Sequence, residues 1–128
     1  MQKAAAVTIE THKPFGPPPG VFSSTGAISE SGTFLNSSVI LGCGDATDSV
    51  TVDVTQRFTG ALGSFTLRAA IRETASADPH VLDDHGVWVL IGGTGAYETL
   101  RGRGQVTGTA DDNLDLIRRT YRGTVRRR

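Results

Sequence analysis

The chain has 128 residues, of which 38% are hydrophobic, 20% charged and 16 in number glycine, and its formal net charge is zero. That is one domain's worth of chain, long enough to bury a core without staples, and the charge balance removes the global basic signature of a nucleic-acid-binding domain. Abundant glycine with no collagen period, and no long helix-forming run, favour an all-β protein.

Ala5-Ala6-Val7-Thr8-Ile9-Glu10-Thr11 reads as a first strand, with Val7 and Ile9 on one face and Glu10 on the other. Phe15-Gly16-Pro17-Pro18-Pro19-Gly20 cannot pair regularly and is expected to be a stiff connector or a proline-rich ligand segment. Val21 to Ile28 and Thr33 to Leu41 are the next strands, split by Ser29-Glu30-Ser31-Gly32. Ser49 to Phe58 alternates with Val50, Val52, Val54 and Phe58 inward and Thr51, Asp53, Thr55 and Arg57 outward. A hairpin loop at Thr59 to Gly63 leads to Ser64–Arg72, with Phe65, Leu67, Ala69 and Ile71 inward.

Residues 73–86, rich in Asp, Ala, Ser and His, read as a long polar loop, and Gly86 to Ile91 as a strand apolar on both faces. A barrel has one inside, so the second face of that strand needs a subunit or a covering segment. Five glycines between Gly92 and Gly104 predict a tightly specified corner, with at most a helical turn over Ala96 to Leu100. Gln105 to Thr109 and Asn113 to Val125 complete about eight strands, which describes a sandwich or barrel rather than a repeat array.

Charge is unevenly spread. Residues 1–100 hold five basic and ten acidic side chains, and residues 101–128 hold eight and three, so net charges of −5 and +5 cancel. Six of the last eleven residues are arginine, either an interaction tail or a solvated last strand. The single cysteine, Cys43, makes no intrachain disulfide and is either a small buried hydrophobe or a nucleophile without a motif. Glu10 interrupts the N-terminal apolar run too early for a signal peptide, and no run reaches membrane-spanning length. A cytoplasmic location without membrane contact is expected, or secretion if a leader has been removed.

Three blocks, Arg57 to Leu67, Trp88 to Gly104 and Tyr121 to Val125, resemble the allene oxide cyclase and dirigent superfamily, in particular its small bacterial members. The combination GGTGAY and LRGRG after an apolar strand is the most specific of them. The resemblance implies a single domain over 1–128: an antiparallel eight-stranded β-barrel of allene oxide cyclase-like type, with a small-molecule cavity, an oligomeric state (dimer or trimer) and no cofactor. Its characterised members steer reactive intermediates through cyclisation or coupling.

Other motifs fail. The glycine corner opens no helix within a βαβ unit, and no lysine follows Lys13 to complete a phosphate-binding loop. Asp111-Asp112-Asn113-Leu114-Asp115 starts like a calcium loop, but Leu116 and Arg122 stand where glycine and glutamate are required. His80 and His85 lack companions at metal-ligand spacing, so no metal is expected.

The closing strand is the unusual one. With Ile117, Tyr121 and Val125 inward, period two turns Arg119 inward too. Arg119 then pairs with an internal carboxylate, is flipped outward by a bulge, or binds an anionic ligand. The favoured function is a cofactor-independent isomerase or cyclase acting on a small, largely apolar, polyketide- or lipid-like substrate. Arg119, Tyr121 and Asn36 would be its polar catalytic groups, and Phe34, Phe58, Phe65, Leu67 and Trp88 its substrate-binding walls. The alternative is a non-catalytic small-ligand-binding or structural barrel. Arg119→Leu or Tyr121→Phe is expected to weaken ligand handling with the fold intact.

Overall fold

The computed structural model describes residues 4–43 and 49–128. The leader reading at the first residues and the Cys43 side chain lie outside the described parts. Runs of alternating β-branched and aromatic residues form eight strands among the described residues. In chain order they are β1 (Ala5–Lys13), β2 (Gly20–Gly26), β3 (Glu30–Cys43), β4 (Ser49–Gly60), β5 (Gly63–Ala75), β6 (Val81–Gly93), β7 (Leu100–Asp111) and β8 (Leu116–Arg127). Each pairs antiparallel with its chain neighbour, and β1 also pairs with β8, which closes the barrel. Closure gives backbone groups partners that an open sheet edge would leave to solvent.

The inward set follows from period two. Val7, Ile9, Phe22, Val52, Val54, Phe58, Phe65, Leu67, Ala69, Ile71, Trp88, Leu90, Val106, Tyr121 and Val125 are all buried. Val87, Val89 and Ile91 on the other face of β6 are 58%, 43% and 47% exposed, so no segment among the described residues covers that apolar face. Bulges at Asn36/Ser38 on β3 and at Thr66/Leu67 against β6 shift the register locally.

The end of the barrel carrying the β2–β3, β4–β5 and β6–β7 connections is called upper here, the opposite end lower. At the upper end a 3-10 turn, Gly95–Tyr97, brings Tyr97 over the lumen. The Tyr97 hydroxyl donates to Glu30, whose other oxygen accepts from the Leu62 backbone N–H at 2.8 Å. Burial, followed by the hydrogen bond and charge of Glu30, pushes the Tyr97 phenol up to about 12.

Two sequence expectations are corrected. The long polar loop over 73–86 is strand for most of its length: β5 runs on to Ala75, β6 starts at Val81, and Glu73 pairs with Asp84 and Arg72 with His85. Polar residues occupy inward positions there, so the apolar alternation fails although the backbone pairing continues. The glycine corner is also shorter than expected. The turn ends before Leu100, and Gly102 and Gly104 lie inside β7. Gly95 does adopt a left-handed conformation (φ +59°), whereas Gly102 is needed for space: a Cβ there would lie 2.6 Å from both the Thr124 carbonyl and Val125 Cγ1.

The lower end is less complete. β2 pairs with β3 only between Glu30 and Phe34, while β4 follows β3 down to Cys43. Val39 faces the lumen side by its register with buried Val54, yet it is 48% exposed, and Val50, expected to be buried inward, is 37% exposed. Solvent therefore reaches the lumen side of the wall at this end.

Candidate functional site

The aromatic residues expected to wall a cavity pack on one another. Phe58 stacks on Phe65 (ring centroids 4.9 Å apart) and on Phe34 (5.0 Å), and Phe22 meets Phe58 edge-on at 5.1 Å. Tyr97 closes the group from above, 5.4 Å from Phe65. Phe58, Phe65 and Leu67 are fully buried, and Phe34 and Trp88 nearly so. The Trp88 indole N–H donates to the Gln105 carbonyl at 3.0 Å. These five predicted binding residues fill the upper lumen themselves, and a ligand touching Phe58 there would have to displace a ring.

Below the rings lies a polar layer. Tyr121 on β8 reaches across the lumen and donates to Gln56 Oε1 on β4 at 2.7 Å, and Gln56 Nε2 donates to Asn36 Oδ1 on β3 at 3.2 Å. The structure thus links two of the three predicted catalytic residues through a third that sequence reasoning passed over. Gln56 is 1% exposed and shares parity with Val52, Val54 and Phe58, a signal that was present in the alternation. Asn36 is half-buried, and its Nδ2 donates to no partner among the described residues.

Arg119 faces inward as expected from Tyr121, and it is paired. Its Nε lies 2.9 Å from Asp84 Oδ2 and its Nη2 3.7 Å from a Glu73 carboxylate oxygen. The Asp84 side chain is completely buried, that of Arg119 is 7% exposed and that of Glu73 14%. Gly108 on β7 lies opposite Arg119, and a Cβ at Gly108 would come within 2.8 Å of Arg119 Cγ, so the glycine makes room for the arginine stem. Burial alone would lower the arginine's pKa, but the charges of Tyr121, Asp84 and Glu73 and the hydrogen bond to Asp84 outweigh it, and the net shift is upward. The guanidinium stays charged.

This pairing revises the expectation for Arg119→Leu. Removing the guanidinium strands Asp84 in the interior, so the variant loses stability as well as site chemistry.

Glu73, beside Asp84, is the titratable centre of the layer. Burial first, then the hydrogen bond and charge of Asp84, push the Glu73 carboxyl up to about 7 against the opposing charge of Arg119. Asp84 Oδ1 is buried without a hydrogen-bond partner among the described residues. In its protonated form Glu73 supplies the donor that this oxygen lacks. Burial raises the Tyr121 phenol as well, opposed by Arg119 and by the hydrogen bond to Gln56. Lys13 closes the lower rim with its ammonium on the Pro14 carbonyl at 2.9 Å and on that of Gly16, its pKa lowered by burial and then by Arg119.

His80 and His85 do not join the layer. His80 lies in the β5–β6 turn against Asp112 at 3.0 Å, and His85 is exposed. Among the described residues no group of three His, Cys, Asp or Glu side chains is placed to hold a metal ion. Glu10 is exposed on the outer wall. No described helix is long and apolar enough to cross a membrane.

Fold and site together define a class: a closed eight-stranded antiparallel barrel with an aromatic upper core and a buried layer of polar and charged side chains below it. Compared with protein-family models, curated proteins and solved structures, the chain gives no significant match.

Proposed function

We propose that the barrel is a cofactor-independent isomerase or cyclase that moves a proton on a small, largely apolar substrate at the lower end of the lumen. The observation that carries this reading is the buried carboxyl pair, Glu73 beside Asp84, with Arg119 at 2.9 Å and an Asp84 oxygen left without a donor. A purely structural ion pair needs one carboxylate. Here a second carboxyl is held beside the first, 14% exposed and facing the end that solvent reaches.

In the ionised form Glu73 takes a proton from a carbon adjacent to a carbonyl or in conjugation with one. The electron pair left behind moves onto the carbonyl oxygen, and Arg119 and Asn36 are the donors assigned to the charge that develops there. Glu73 then returns the same proton to another carbon of the substrate, so the reaction is redox-neutral and needs no co-reactant. A carboxyl titrating near neutrality is suited to both halves of that transfer. Asp84 and Gln56 position Arg119 and Tyr121 and do not touch substrate. The blocks resembling the allene oxide cyclase and dirigent superfamily support the same reading, because that resemblance implies redirection of reactive intermediates inside a barrel.

The test does not require the substrate to be identified. A panel of small unsaturated ketones and β-dicarbonyl compounds is incubated with protein in D2O, and deuterium uptake at carbon is followed by NMR. Wild-type protein should accelerate exchange for part of the panel, and Glu73→Gln should abolish that acceleration. Exchange that persists unchanged in the variant removes Glu73 from the mechanism.

The second reading, a non-catalytic barrel, is favoured by the packed rings around Phe58. It predicts no exchange with any compound.

A further inference from the structure

The arginine-rich closing strands carry a second feature, on the opposite side of the wall from the polar layer. The pairing of β7 with β8 sets Arg101 directly across from Arg126, and Arg103 across from Thr124. All four side chains belong to the outer face, since the neighbouring Leu100, Val106, Tyr121 and Val125 are buried inward. Like charges directly opposite on one face of a sheet repel. Two other arginines are paired: Arg68 has Asp53 at 3.7 Å, and Arg119 has Asp84 and Glu73. Arg101, Arg103 and Arg126 form no ion pair among the described residues, and the Arg101 side chain donates to its own neighbour, the Leu100 carbonyl, at 2.7 Å.

Arg101, Arg103 and Arg126 are among the residues that line a pocket of about 370 Å³ on the outer wall. Thr124 brings a hydroxyl to it, and the exposed Val89 gives an apolar flank.

We infer that this pocket is a binding site for a phosphate group, carried by a small phosphate monoester or by a phosphate-bearing headgroup. Guanidinium forks match phosphate oxygens in pairs. A phosphate dianion also brings two charges to a three-arginine cluster where a carboxylate brings one, and it screens Arg101 from Arg126. The Thr124 hydroxyl adds a neutral donor, and the Val89 side accommodates the organic portion of an ester. The site shares no residue with the lumen layer, so it stands or falls apart from the proposed chemistry.

Thermal unfolding and calorimetric titration of the whole chain with inorganic phosphate and with glycerol 3-phosphate test this, at ionic strength held constant with sodium chloride. Tm should rise saturably with either phosphate and not with chloride. Arg101→Gln and Arg126→Gln should each weaken binding at least tenfold, while without phosphate each variant melts no lower than wild type, because one partner of a repulsive pair is gone. Arg122→Gln, opposite Gln105 on the same outer face, should keep the response. Co-sedimentation with phosphatidylcholine vesicles containing phosphatidic acid, and not with phosphatidylcholine alone, would assign the phosphate to a headgroup; binding of the soluble esters alone would assign it to a small monoester. Absence of a saturable response overturns the site. So does a response lost equally in Arg122→Gln, since that describes a diffuse positive surface.

Discussion

Arg119→Leu is the perturbation whose cost the structure defines best. The guanidinium is 7% exposed and bonded at 2.9 Å to a carboxylate that is completely buried. Leucine fills part of the space but removes the cation paired with the completely buried Asp84 side chain. Stranding one member of a buried pair costs about 3–5 kcal/mol. For a domain of this size about 1 kcal/mol moves Tm by roughly 3–5 °C, so the variant should melt roughly 10–20 °C below wild type. The second arm replaces both partners. Asp84→Leu together with Arg119→Leu removes the stranded charge and should recover most of the loss, because an apolar pair of similar volume avoids the desolvation penalty. Differential scanning calorimetry at pH 8 on wild type, both single variants and the double variant closes the cycle. A single variant within about 1 kcal/mol of wild type would refute the buried pair, since breaking such a pair costs several-fold more. A double variant as unstable as Arg119→Leu would show that the arginine's stem, and not its charge, holds the wall.

Glu73 gives a pH dependence of definite sign. Its proton is retained in the folded state between the ordinary carboxyl value of 4.5 and about 7, so stability contributed by this group is full below 4.5 and falls as pH rises through that window. Urea unfolding from pH 4 to pH 8 should show that decline in wild type and a flatter profile in Glu73→Gln; parallel profiles would count against a raised carboxyl. Phe58→Ala removes the ring at the centre of the aromatic group and should cost about 3–5 kcal/mol in chemical denaturation, and a loss below about 1 kcal/mol would mean the lumen is not packed as described. Gly95→Val introduces a β-branched side chain at a φ of +59° with the Leu62 carbonyl 2.5 Å from its Cβ, so it should lower Tm measurably, and unchanged melting would contradict the left-handed turn.

Much of the barrel is legible in the sequence because its upper half obeys one rule. From Val52 to Phe58 and from Phe65 to Ile71 every second residue faces inward and is buried, and strand number and inward face follow directly. The same rule, carried one step further, points to Gln56, Glu73 and Asp84. It loses its grip there because polar side chains at inward positions look like loop when hydrophobicity is the only signal read. The functional layer is thus the part of the lumen where apolar periodicity stops while hydrogen-bonded pairing goes on, as between Glu73 and Asp84. Arg119 follows from Tyr121 by parity alone. Its partners lie 35 and 46 residues away in sequence, on β6 and β5, and strand alternation carries no information about contacts across a lumen. The packing of Phe34 and Phe65 on the same Phe58 ring is hidden for the same reason: parity places residues inside without saying whether they leave a space.

The proposed chemistry requires a lumen carboxyl that takes up and releases a proton at neutral pH. The most direct measurement is a carbon-13 NMR titration of the glutamate side-chain carboxyls, with Glu73 assigned by the resonance lost in Glu73→Gln. Glu73 should show a midpoint near 7, and a lower one in Asp84→Asn, where the neighbouring carboxylate is gone. A Glu73 midpoint at the ordinary value of 4.5 in the wild-type protein would contradict it.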